Sequence, residues 1–192
     1  MHDKAPAGLS ARRREGAGAL PETTPSFHDE FVALFDAHFR RLHRYLNRLS
    51  GEPELAADVV QEAFVKLYQR GSLPDAPEAW LISVAMNLFR NVKSSRSRRL
   101  RLLTPARGER VHADPPPSPD ERATAEDSRR RVRATLDRLP ERERRILLLR
   151  AEGYSYRDIA AALQLNEASV GVLLARARRA FRDAYEDAFD AP

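Results

Sequence analysis

The chain contains no cysteine. Disulfides, thiolate metal sites and cysteine nucleophiles are therefore excluded. Lysine is nearly absent too: Lys4, Lys66 and Lys93 are the only lysines among 33 basic residues, so arginine carries the positive charge. No apolar run approaches the ~20 residues needed to span a bilayer, and no membrane insertion is expected. Arg12-Arg13-Arg14 is followed by Gly, Ala and Pro rather than by an apolar stretch, which argues against a signal peptide and for a cytoplasmic location. No strand-like alternation and no internal repeat are visible. The histidines (His2, His28, His38, His43 and His112) form no metal-spaced pair with a carboxylate. There is no phosphate-cradling glycine loop and no nucleophile elbow. No catalytic residue, metal site or cofactor is therefore expected.

What remains is helical, basic and divided. The net charge of +5 favours an acidic partner such as nucleic acid. Residues 1–25 are poor in large apolar side chains and rich in Ala, Gly, Pro and Arg, the composition of a disordered tail. Ser26 with Asp29 forms a capping-box pattern. Phe31, Leu34, Phe35, His38, Leu42, Tyr45, Leu46 and Leu49 then follow at helical spacing up to Gly51. Pro53 suits the first turn of a second helix, which presents Leu55, Val59, Ala63, Phe64 and Leu67 and stops at Gly71. Pro77 opens a third helix through Trp80, Leu81, Val84, Ala85 and Leu88 to about Arg96. These predict a helical bundle over 26–99.

Proline density in 100–117, with Asp114-Pro115-Pro116-Pro117 at its end, predicts an extended linker. A second all-α domain is expected over 118–189. Val132, Leu136 and Leu139 mark one buried face, and Ile146, Leu147 and Leu149 another. Ser155 and Asp158 cap a short helix with Ile159, Ala160 and Leu163 inward, and Leu165 lies in a turn. A last helix from about Glu167 carries Val170, Leu174, Ala177 and Phe181. The final two helices are in helix-turn-helix order.

Three constellations carry functional weight. Asn87, Arg90, Asn91, Lys93, Arg96, Arg98 and Arg99 combine phosphate-neutralising cations with amides that can address a base edge. Trp80 begins the same helix. It could stack on an extruded base, but taken alone it reads as a core residue. Asp58, Gln61, Glu62 and Lys66 line the polar side of the second helix, which by spacing alone is an ordinary solvated face. In the helix-turn-helix, Ala160 permits close crossing, Asn166 can cap the recognition helix, and Ser169, Arg176, Arg178 and Arg179 offer polar contacts.

Together these segments resemble the extracytoplasmic-function class of the sigma-70 family of RNA polymerase sigma factors. Asp58-Val59-Val60-Gln61-Glu62-Ala63-Phe64-Val65-Lys66-Leu67-Tyr68 is similar to region 2.2. Trp80-Leu81 through Asn87 and the basic tail are similar to regions 2.3 and 2.4. Leu139-Pro140-Glu141-Arg142 with Gly153 to Ala160 is similar to region 4. The resemblance implies that Asp58, Gln61, Glu62 and Phe64 bind core polymerase at its clamp. It implies that the loop Gly71–Ala76 and Asn87, Arg90, Asn91, Lys93, Arg96, Arg98 and Arg99 capture the minus-10 element. Ser169, Val172, Arg176 and Arg178 would contact the minus-35 element, and the second domain would dock on the polymerase flap. An anti-sigma protein is a further candidate partner.

The chain departs from the family at three places. Met86 stands where Arg or Lys is common and Asn91 where Asp is usual. The recognition helix reads Ser169-Val170-Gly171-Val172-Leu173 instead of Thr-Val-Lys-Ser-Arg, so two cations are missing. The competing reading is a helix-turn-helix regulator acting without polymerase, which leaves Asp58–Tyr68 and Trp80–Asn91 unexplained. A nuclease using the basic helices as a platform would need an acidic metal cluster that the sequence does not supply.

Overall fold

The computed structural model describes residues 26–103 and 121–189. The expected tail at 1–25 and the expected linker from residue 104 onward lie outside the described residues. Among these, seven helices and no strands are present: α1 (Phe27–Ser50), α2 (Pro53–Arg70), α3 (Pro77–Leu103), α4 (Glu121–Arg138), α5 (Glu141–Ala151), α6 (Tyr156–Leu163) and α7 (Glu167–Phe189). No single helix among the described residues is long and apolar enough to cross a membrane.

The helix ends follow their sequence signals. The Ser26 Oγ accepts from the Asp29 N–H at 3.3 Å, and the Asp29 carboxylate accepts from the Ser26 N–H at 3.1 Å. The same reciprocal box opens α6, with Ser155 and Asp158 bonded at 3.1 and 3.0 Å. Gly51 closes α1 in the left-handed region at φ 76°, its N–H donating to the Asn47 carbonyl at 2.7 Å. α3 runs past the expected boundary near residue 99 to Leu103. Nothing in Lys93–Leu103 breaks a helix, and the first obstacle is Pro105, which disfavours helical geometry at the residue before it.

α1, α2 and α3 pack around Leu42, Leu46, Val60, Leu67, Leu81 and Ile82, all at most 1% exposed. Beside this core, Phe31, Phe35 and Phe39 surround Phe64, with ring centroids 6.1, 5.0 and 5.9 Å from it. α5, α6 and α7 enclose Ile146, Leu149, Ile159, Val170 and Leu174. Val132, expected on the buried face of α4, is instead 41% exposed. It lines an open groove between α4, α5 and α7 that no side chain fills.

The two halves are not independent bodies. Their buried residues form one contiguous apolar cluster from Leu42 to Leu174. α1 packs on α5, and α3 packs on α6. At this seam the Glu152 side chain is 2% exposed and sits between two arginines of α1. Arg44 Nε donates to its Oε2 at 2.8 Å, and Arg48 Nη1 lies 2.8 Å from its Oε1. The Arg41 guanidinium stacks 3.7 Å from the centroid of the Tyr154 ring. Ser83 Oγ donates to Ala79 at 2.8 Å and reaches the Ala162 carbonyl at 3.4 Å. Arg133 of α4 places its guanidinium where a Cβ on Gly51 would be.

Two measurements follow. Glu152→Gln keeps the shape but loses the charge, and should reduce unfolding free energy by ~1–3 kcal/mol in a denaturant titration. Gly51→Ala and Gly71→Ala face the same left-handed backbone, φ 76° and 73°, each costing ~1–2 kcal/mol. Gly71 has nothing within 4 Å of an added Cβ, whereas Gly51 has Arg133. The Arg133 guanidinium is the end of a flexible side chain and can swing aside, so the two variants should lose similar amounts; a clearly larger loss for Gly51→Ala would mean that Arg133 is held in place.

Candidate nucleic-acid and polymerase interfaces

The C-terminal half of α3 projects its cations into solvent. Arg90, Asn91, Lys93, Arg98 and Arg99 are exposed, and so is Asn87. Asn87 and Arg90 are brought together, the guanidinium donating to the Asn87 Oδ1 one turn back. Lys93 Nζ lies 5.0 Å from the Phe89 ring centroid. Arg96 differs from its neighbours: it pairs with Glu52 at the start of α2. That acid is distant in sequence, so the uninterrupted basic run is partly neutralised in space. Trp80 is half-buried and packs against the core, as its spacing suggested. In the loop before α3, Gly71, Ser72 and Asp75 are exposed while Leu73 packs inward.

On α2, Asp58, Gln61 and Glu62 are all exposed on one face, and Glu62 pairs with Lys66 at 3.1 Å. Phe64 does not join them. It is 2% exposed, enclosed by the α1 phenylalanines, and cannot touch a partner while this bundle is intact. At helical period it joins the core stripe of Val60 and Leu67, on the side of α2 away from Glu62, with Gln61 at the edge of that stripe. The residue that extends the exposed face is Val65, 40% exposed, with Tyr68 one turn on at 53%. An apolar residue on an otherwise polar strip was the signal in the sequence.

The helix-turn-helix is built by α6 and α7, which meet at 93° across the turn Gln164–Asn166. Gln164 takes the left-handed conformation at φ 56° to make this turn. Asn166 caps α7, its Oδ1 accepting from the Ala168 N–H at 3.0 Å. The expected contact residues divide. Val172 is 72% exposed. Arg176 is exposed, with its Nε 3.2 Å from the Glu143 carboxylate. The Ser169 hydroxyl is engaged locally, donating to the Asn166 carbonyl at 2.6 Å. Arg178 lies on another face, lining the groove between α4, α5 and α7.

That groove, about 1010 Å³, has an apolar floor of Val132, Leu136, Leu147, Leu174 and Phe181. Its rim carries Arg48, Arg129, Arg133, Arg150 and Arg178. At the seam, burial holds the Glu78 carboxyl above its ordinary range against the opposing pull of His38, whose Nε2 is 3.2 Å away. Burial also pushes the Tyr45 and Tyr154 phenols up, so both remain protonated donors; Tyr45 Oη donates to Met86 Sδ at 3.3 Å.

An all-α chain with a basic, asparagine-bearing helix in its first half and a helix-turn-helix in its second is the class this architecture defines. Comparison with known proteins narrows it. The family model for Sigma-70 region 2 matches residues 34–99, and that for Sigma-70, region 4 matches residues 129–181. The ECF RNA polymerase sigma factor EcfG of Rhodopseudomonas palustris is 31% identical over 165 residues, covering 82% of this chain and 82% of its own. The ECF RNA polymerase sigma factor SigE of Mycolicibacterium smegmatis is 32% identical over 155 residues, covering 78% of this chain but only 59% of its own, so the chain spans less than two thirds of that relative. The sigma factor RpoE of Bartonella quintana, solved with the anti-sigma factor NepR, shares the fold at a TM-score of 0.58 and 20% identity, over 82% of this chain and 97% of that one. The chain belongs to the extracytoplasmic-function sigma factors of the sigma-70 family.

The division of α2 into a core face and a free face is testable by stability alone. Phe64→Ala should cost ~3–5 kcal/mol of unfolding free energy. Asp58→Ala and Gln61→Ala should each stay within ~0.5 kcal/mol of the parent. Urea titrations followed by circular dichroism would check both.

Proposed function

We propose that the chain binds core RNA polymerase, recognises minus-10 and minus-35 promoter elements, and directs transcription initiation without chemistry of its own. The observation that carries this reading is the pairing of two exposed, differently built surfaces on one chain. One is the cationic, amide-bearing end of α3; the other is the outward face of α7.

Asp58, Gln61 and Glu62, with Val65 beside them, form the polymerase clamp contact. Asn87 and Asn91 address unpaired bases of the non-template strand, while Arg90, Lys93, Arg98 and Arg99 hold phosphates. Arg96 takes part only after leaving Glu52. Extruding a base costs a few kcal/mol, which contacts in a pocket must offset. The arginine-rimmed apolar groove of the second half suits an acidic, apolar segment of the polymerase flap. An anti-sigma protein, of the kind seen with the Bartonella quintana relative, would act by occupying such polymerase-binding faces.

Reading both elements at once requires the seam to open. Elements about 25 base pairs apart lie ~85 Å apart along B-form DNA. A packed chain of this length is only ~40 Å across. On the promoter, Arg44 and Arg48 must therefore release Glu152, and α6 must leave α3.

The deciding experiment is run-off transcription with reconstituted holoenzyme and mapped start sites; failure to bind core polymerase would leave the independent helix-turn-helix regulator. Asp58→Arg with Gln61→Ala should weaken core binding by ~1–3 kcal/mol with helicity unchanged. Asn87→Ala should reduce permanganate reactivity in the bubble far more than it reduces core binding. Arg98→Ala should instead weaken DNA binding across sequences and lower the salt slope by about one unit.

A further inference from the structure

We propose that α7 reads thymine methyl groups through Val172, so that upstream promoter discrimination in this chain is apolar where its relatives use polar and cationic side chains. The inference rests on the reading that α7 enters the major groove of the minus-35 element.

A single exposed valine means nothing by itself. Here its position carries the argument. Val172 is 72% exposed, more than any other large apolar side chain among the described residues. It stands in the second turn of a helix that crosses its predecessor at 93°, where recognition helices meet base edges. Its neighbours one turn away on the same face are Ala168, Ala175 and Arg176, all exposed. Leu173 packs against the core and is unavailable. At Gly171 an added Cβ would make only ordinary contact, 3.6 Å from Tyr156 Cε2, so packing does not force the loss of a side chain there. Ser169 spends its proton on Asn166, and Arg176 is held by Glu143. Val172 thus lies at the centre of a small apolar strip.

The C5-methyl of thymine is the apolar group that a major groove presents to such a strip. Against a methyl, Val172 buries its own methyls. Against an amino group or a carbonyl it strips water and returns no hydrogen bond. The same side chain therefore favours thymine at the facing position and disfavours a cytosine or guanine edge there.

The test replaces thymine by deoxyuridine, which removes the methyl and leaves the pairing intact. Duplex promoters with a constant minus-10 element would carry one deoxyuridine at a time across the minus-35 element, on either strand. Binding by reconstituted holoenzyme would be measured for the parent and for Val172→Ala. Because Val172 is exposed, the variant should keep its helicity and thermal midpoint. At one or two positions deoxyuridine should weaken parent binding about three- to fivefold. In Val172→Ala the same replacement should have no further effect, a non-additive cycle between the two methyl-bearing groups. If no deoxyuridine position affects the parent, or if Val172→Ala keeps the full penalty, the inference is overturned. If whole base-pair changes across the minus-35 element also leave parent binding unchanged, the placement of α7 in the groove falls with it.

Discussion

Glu152 is a carboxylate with 2% of its side chain exposed, and it tolerates that burial because Arg44 and Arg48 reach it from a different helix. An unpaired carboxylate in that position would be several kcal/mol too costly to keep charged. The pair is asymmetric. Both arginines remain about half exposed, at 55% and 51%, so neither loses much hydration by binding. In the opening proposed above, the arginines are already wet and the carboxylate regains water. Such a contact fixes the relative placement of the two halves without making their separation prohibitive. It is also open to screening by salt, as a fully buried pair would not be.

The seam and the proposed minus-10 surface share one helix. Ser83 faces α6 and reaches the Ala162 carbonyl, while Asn87 one turn later is exposed, its Oδ1 accepting from Arg90. Met86 between them is buried and accepts the Tyr45 hydroxyl. α3 therefore has an anchored first half and a projecting second half. The cationic second half is held at one end by the bundle core. The capping asparagine at the start of α7 fixes the first turn of the second candidate surface in the same way.

Local signals in the sequence located most of this. Capping boxes at Ser26 and Ser155, prolines at helix starts and glycines at helix ends marked the helices because each acts within one turn. The exposed strip Asp58, Gln61, Glu62 and the outward Val172 were legible from helical period. What could not be read were contacts across long separations. Glu52 neutralises Arg96 from 44 residues away, and Glu152 meets Arg44 from 108 residues away. No periodicity encodes such pairs. Phe64 shows the opposite failure: its motif invited a binding role, but helical geometry had already turned it toward the phenylalanines of α1. Val132 shows a third, since an apolar residue at a core period can line an open groove instead.

The scarcity of lysine also finds a physical reason at the seam. Arg41 places its guanidinium carbon over the Tyr154 ring, a contact that suits a weakly hydrated guanidinium better than a compact ammonium. Arg44 donates a directed hydrogen bond to one oxygen of the Glu152 carboxylate, while Arg48 lies beside the other at ion-pair distance only. Arg133 spreads its guanidinium over the backbone of Gly51, at the negative end of the α1 dipole. These side chains join the halves through shape as well as charge. By contrast, the two lysines among the described residues stand away from the seam, Lys66 against Glu62 on its own helix and Lys93 beside Phe89 on its own helix. At the seam the cation that binds across two elements is arginine, although arginine also serves within single helices, as in Arg131 with Asp127 and Arg145 with Glu141.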